Sequence, residues 1–153
     1  MKLLASIILP ILFFAHTDSK RYKGHTYVCF ASHSAYLFEE LQLTGKTFVL
    51  KNSFENYMLG VKSEIEYIGN WVQSSDSIIL TKIQETNRAK TINKELLKEL
   101  QIDFKAAEDM YSMGIEMISL KKGQTLHYII KRDTLKKTFI GSGNLIDLIL
   151  SPN

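Results

Sequence analysis

Short runs in which apolar and polar residues alternate, divided by turn-forming residues, recur along this 153-residue chain and restrict its fold more than any other feature. A period of two sends successive side chains to opposite faces of a strand. The run from Glu64 to Trp71 shows it most plainly, with Ile65, Tyr67, Gly69 and Trp71 on one face and Glu64 and Glu66 on the other. AYLFEELQL (35–43) ends as Glu40 out, Leu41 in, Gln42 out and Leu43 in, and Thr44-Gly45 then leads into KTFVLK, the pattern of a tight hairpin. Before it, HTYVCFA (25–31) is rich in aromatic and β-branched residues and ends at Ser32, His33 and Ser34, which predicts a strand and a break. Asn52 to Gly60 is polar and turn-prone, while Ser74, Ser75 and Asp76 supply a turn into SIILTKI and so a second hairpin.

The middle of the chain, Glu85 to Tyr111, carries Lys, Glu, Leu and Ala at densities that favour helix. Ile92, Leu96, Leu97 and Leu100 fall at helical spacing, with Thr91 or Asn93 as N-cap and Glu95 in the first turn. A second, weaker helical turn begins at Asp103 and runs through Ala106, Ala107 and Met110, with an irregular excursion as the alternative. From Gly114 the strand pattern returns as IEMISL, the turn 121–124, TLHYIIK, the turn Arg132-Asp133 and TLKKTFI. Gly141 and Gly143 break it, and LIDLIL closes the chain. The expectation is a mainly β chain, an antiparallel meander forming a small barrel or sandwich with one short amphipathic helix in its middle segment.

At the start, Lys2 precedes an uncharged apolar run from Leu3 to Phe14, interrupted only by Pro10 and followed by His16, Thr17, Asp18 and Ser19. That is the profile of a signal peptide, and it is shorter than the roughly 20 residues a membrane-spanning helix needs. Cleavage after Ala15 or Ser19 is expected, so 1–19 reads as a signal peptide and 20–153 as a single domain, periplasmic or secreted and without a transmembrane anchor. A lone Cys29 closes no internal disulfide and reads as a buried small residue or a free thiol. A net charge of +3 is too small to argue for nucleic acid.

Gly69-Asn70-Trp71, a polar turn, and then Asp76-Ser77-Ile78-Ile79-Leu80 form a G-x-W, turn, D-x-I-x-L pattern. Tyr27, Leu41 to Leu43 and Thr47-Phe48 stand at fitting places before it. Over this first half the chain resembles the small exported lipocalin-like β proteins of Bacteroidota-type bacteria, most of which have no assigned activity. The resemblance implies a hairpin core in which Trp71 packs and Asp76 takes the turn, and it carries no catalytic residues.

His25, Cys29 and His33 share a face if their segment is a strand, and they are types that zinc prefers. Residues four apart on a strand lie about 13 Å apart, however, so one strand closes no zinc site without a bulge or help from His127. Neither a metal nor a cofactor is expected. Glu39-Glu40 and Glu64/Glu66 are the visible carboxylate pairs; nothing shows the shared cleft that hydrolytic pairs need, and the alternating glutamates opposite Ile65 and Tyr67 are what a solvated sheet face requires. No nucleophile elbow, P-loop or dinucleotide fingerprint occurs, so no enzymatic activity is expected. Lys121, Lys122, Lys131, Arg132, Lys136 and Lys137 gather at or beside predicted turns, where they either guard strand edges or attract an anionic polysaccharide or lipid headgroup. Ser77 and Thr134 sit in short Asp-Ser/Thr-aliphatic sequences that resemble O-glycosylation sites of that bacterial group. Two functions remain. One is a small apolar ligand held in a barrel lined by Tyr27, Tyr36, Phe38, Phe48, Tyr67 and Trp71. The other is an envelope or secreted interaction protein with a filled core, for which an exposed apolar face around Leu96, Leu97 and Leu100 is the discriminating feature.

Overall fold

In a computed structural model that describes residues 19–30, 33–138 and 147–151, the chain forms a closed antiparallel barrel. Its strands are β1 (Lys20–Phe30), β2 (His33–Thr44), β3 (Thr47–Asn56), β4 (Val61–Ser74), β5 (Ser77–Ile92), β6 (Leu126–Lys131), β7 (Thr134–Thr138) and β8 (Asp147–Leu150). Each pairs with the next, and β8 returns to β1 through Tyr22↔Leu150 and Lys23↔Ile149. Of the two antiparallel architectures expected, barrel or sandwich, the chain forms the barrel. Two helices, α1 (Lys94–Glu99) and α2 (Phe104–Ile118), fill the β5–β6 connection, where one had been expected.

Inward positions follow the period of two: Leu37, Leu41 and Leu43 on β2, Phe48, Leu50 and Phe54 on β3, and Val61, Ile65 and Tyr67 on β4 are all buried. The same face continues through Ile78 and Leu80 on β5, Leu126 and Tyr128 on β6, Leu135 on β7 and Leu148 on β8. Gly69 keeps the alternation only because it lacks a side chain, since a β-carbon there would stand 2.5 Å from the Thr81 carbonyl oxygen and 2.7 Å from the Phe48 ring. Register shifts beside Tyr67 and Gly69 take up the bend in β4.

Three segments depart from their expected form because pairing overrides local preference. Asn52 to Asn56 extends β3 instead of turning, with Asn52 opposite Glu39 and Phe54 opposite Leu37. Glu85 to Ile92 continues β5, laddered against β4 from Tyr67 to Val61, so Ile92 ends a strand and does not begin a helix. Gly114 to Ile118 finishes α2, although IEMISL has strand composition. There Ala107, Met110, Gly114 and Ile118 fall on one buried helical face, and Gly114 packs on the Phe54 ring. Of the two N-caps offered for α1, Asn93 serves, accepting from the Leu96 amide at 3.0 Å, and Asp103, where the second helical turn was expected to begin, accepts from the Lys105 amide at 3.0 Å.

Strand lengths divide the barrel into two halves. β6 pairs with β5 only over Ser77 to Leu80, so the rest of β5 pairs with β4 alone among the described residues. Across that lower half α2 lies on the inner face of β3 and β4. Asn52 Nδ2 donates to the Ile118 carbonyl at 3.0 Å, Ser63 Oγ to the Tyr111 carbonyl at 3.4 Å, and the Leu120 amide to the Tyr67 hydroxyl at 2.9 Å. Among the described residues no helix is long and apolar enough to cross a membrane.

Candidate functional site

The barrel encloses a charged cluster. Glu39 of β2 points inward and is 3% exposed, facing Tyr128 of β6 and Lys137 of β7, which are cross-strand partners. The Tyr128 hydroxyl donates to Glu39 Oε1 at 2.7 Å and Lys137 Nζ to Oε2 at 2.5 Å. Burial, and then the Glu39 carboxylate, push the Tyr128 phenol well above its ordinary range. Isolated, either charge would carry a burial penalty of several kcal/mol, so each is tenable inside only because the other is there. Beside Glu39, Asn52 is buried with its Oδ1 free of any hydrogen-bond partner among the described residues.

This placement bears on two expectations. Glu39 and Glu40 are no carboxylate pair, because adjacent strand positions face opposite ways, and Glu40 lies outside as expected, paired with Arg21 and with Lys23 at 3.8 Å. Lys137 does not belong to a surface patch, and the rest of that patch is split. Lys121 and Lys122 precede the first residue of β6 and Lys131-Arg132 end it, so they lie at opposite ends of that strand, with Lys136 exposed on β7. Glu64 and Glu66 do lie outside, with Lys62 at 3.6 Å and Lys51 at 3.3 Å.

The aromatic residues expected to line one interior divide between two faces. Phe48 and Tyr67 are buried inside and Trp71 is half-buried against the same core. Tyr27, Tyr36 and Phe38 stand on the outer wall, because they occupy the odd phase of β1 and the even phase of β2 opposite to Leu37 and Leu41. There they form a ladder of rings: Tyr27 meets Tyr36 edge-on at 5.3 Å, Tyr36 lies 5.6 Å from Tyr57, and Phe38 lies 5.9 Å from His25. Cys29 is exposed on the same wall. His25 and His127 face outward, the side chain of His33 lies outside the described residues, and no group of three His, Cys, Asp or Glu able to hold a metal occurs among the described residues.

The ladder runs into a groove of about 280 Å³ between the β3–β4 turn and α1, walled by Tyr57, Val61, Lys62 and Leu96 with Glu55 and Asn93 at its margin. Tyr57 and Met58 are each 62% exposed beside it. Burial tends to raise the Glu55 carboxyl, but hydrogen bonds from Lys62 (2.9 Å) and Tyr57 outweigh it and hold the group below its ordinary range. Of the α1 leucines, Leu97 covers the core, Leu96 is shared with the groove and Leu100 is left exposed, as is Phe104 under the Lys94 ammonium. Tyr57 and Met58 escaped notice in the sequence because a turn-prone segment gives no sign of which residues it displays.

Ser77 and Thr134 each open a strand after a turn, and Ser77 Oγ donates to the Ser74 carbonyl at 2.9 Å. The apolar run 3–14 and the glycines 141 and 143 lie outside the described residues. No family model and no curated protein matches the chain.

Proposed function

We propose that this chain is an exported interaction protein that meets a partner protein at the lower end of its barrel, where a large apolar side chain of the partner enters the groove beside Tyr57. The observation that carries this reading is the display of Tyr57 and Met58, each 62% exposed, on the lip of a groove walled by Val61 and Leu96. Aromatic and Met side chains around a small pocket, with charges paired at the rim, are the composition of a protein-binding hot spot. At about 280 Å³ the groove is smaller than the usual range for drug-sized ligands and suits one or two anchoring side chains. Export rests on the charged start and apolar run of 2–14, which ends before β1 begins at Lys20, and on the lipocalin-like resemblance.

Native mass spectra of the protein taken from its own exported fraction test this directly. A partner chain that travels with it, and leaves on Tyr57→Ser with Met58→Ser at unchanged stability, is the expected outcome. A partner indifferent to both substitutions overturns the assignment of the groove. A bound mass of a few hundred daltons supports instead a ligand inside the barrel, a reading favoured by the buried, unpartnered Oδ1 of Asn52 beside Glu39.

A further inference from the structure

An antiparallel meander brings every second turn to the same end, so the β2–β3, β4–β5 and β6–β7 turns and the start of β1 share the upper rim. Contacts run around it. Ser19 Oγ lies 3.4 Å from Thr44 Oγ1, the Trp71 amide donates to the Lys46 carbonyl at 3.0 Å, the Ile130 amide to Asp76 at 2.6 Å, and the Ser151 amide to Arg21 at 2.7 Å. Among the described residues this rim exposes Lys20, Arg21, Lys46, Lys131 and Arg132 against only Asp76 and Asp133. Arg21 is neutralised by its pair with Glu40, so Lys20, Lys46, Lys131 and Arg132 against the two aspartates leave an excess of +2, most of the formal net charge of +3 of the entire chain. Just below the rim, Ile68 (40%), Val72 (54%) and Ile149 (59%) are exposed on the outer wall, the first two on β4 and the last on β8, on opposite sides of the barrel.

We propose that this end of the barrel docks on an anionic lipid surface, with the rim cations on the headgroups and Ile68, Val72 and Ile149 at the boundary between headgroups and acyl chains. Charge alone would fit any polyanion, because Lys and Arg attract phosphate and sulfate alike. The apolar shoulder separates the two. A soluble polyanion offers isoleucine and valine nothing, whereas a bilayer takes up apolar side chains that stand beside cations. Apolar residues on opposite walls favour a barrel standing end-on. Each cation near such a surface adds roughly a fivefold gain in partitioning. The proposal concerns the end opposite the groove and does not depend on that reading.

Co-sedimentation of the full chain with vesicles tests it, comparing phosphatidylcholine alone with phosphatidylcholine and phosphatidylglycerol mixed. All variants retain the apolar run 3–14, so its contribution is common to them. Binding to the anionic vesicles that weakens with salt is expected. Lys46→Glu with Lys131→Glu should reduce it by more than tenfold, Val72→Ser with Ile149→Ser by severalfold, and Lys94→Glu with Lys98→Glu at the other end should leave it unchanged, all with unaltered circular dichroism. Absence of anionic-vesicle binding, or equal losses at both ends, overturns the proposal. If binding ignores the Val72 and Ile149 substitutions and is matched by heparin, the rim is a polyanion site and the lipid assignment fails.

Discussion

The upper half of the barrel is closed by strands and the lower half by a helix, and the surfaces they leave behind differ accordingly. Where β6, β7 and β8 complete the wall, inward side chains find partners on facing strands, tight turns cap the end, and what remains outside is a charged rim with Ile68, Val72 and Ile149 scattered singly below it. Where β5 runs on past β6, the inner face of β3 and β4 is covered by α2, whose curved surface matches the sheet along one stripe from Ala107 to Ile118. The apolar residues beside that stripe, Leu100 and Phe104, stay 52% and 41% exposed, as do Tyr57 and Met58 at the adjoining turn. A helix closing a barrel thus leaves an apolar, aromatic groove, whereas strands closing it leave a charged rim with separate apolar residues on its shoulder.

Stability measurements can break or sharpen this contrast. Lys137→Met strands the Glu39 carboxylate in the strand-closed half and should cost about 3–5 kcal/mol, read as a lower urea midpoint at constant slope. Glu39→Leu together with Lys137→Met should recover most of that loss, because two apolar residues carry no unpaired charge. Failure to recover would mean that the pair also fixes the packing of β2 against β7.

Tyr128→Phe removes a hydrogen bond to a charged group and should cost about 1.5–3 kcal/mol at neutral pH. Its phenol is held well above the ordinary value in the folded barrel, first by burial and then by Glu39, so the neutral form is favoured there. The stability it contributes is therefore fully present below the unfolded value of about 10 and is lost as pH rises beyond it. Wild type should weaken on alkaline titration more steeply than the Phe variant. Parallel titration curves would remove Tyr128 as the cause.

In the helix-closed half, Gly114→Val puts a branched side chain where a β-carbon alone would come within 2.5 Å of the Phe54 ring. Overpacking of this kind costs about 1–3 kcal/mol. Hydrogen exchange should show α2 losing protection while β6 and β7 keep theirs. Equal loss throughout would show that the halves unfold as one unit and that the division is geometric only. The smallest expected effect is Asn93→Ala, which deletes the cap on the Leu96 amide for about 1 kcal/mol and should loosen α1 and the groove wall without touching the upper half.

Much of this was legible in the chain. The hairpin at Thr44-Gly45, the split of Ile65 and Tyr67 from Glu64 and Glu66, the turn at Asp76 and the caps Asn93 and Asp103 all express local chemistry and stand in the structure as the residues suggest. The helix-like composition of Glu85 to Ile92 misled because propensity spans less than about 1 kcal/mol per residue, which a full ladder against β4 exceeds. IEMISL misled in the other direction, since a helical stripe already begun at Ala107 continues through Gly114 to Ile118.

What the sequence determined by itself was the period: two along the strands, three to four along α2, with turn residues at the breaks. At Leu41 to Leu43 and at Glu64 to Tyr67 the polar phase already marked the outside, but where both phases carry apolar and acidic residues the inward one was decided only by the tertiary structure. In β2 the alternation puts Tyr36, Phe38 and Glu40 on one face and Leu37, Glu39 and Leu41 on the other, and each face mixes apolar with acidic residues. Closing the barrel resolved that ambiguity by bringing Tyr128 and Lys137 to Glu39 from strands some ninety residues and more away in sequence. A local pattern cannot carry that information, because the free energy that makes a buried carboxylate tenable resides in partners that only the closed ring of strands supplies.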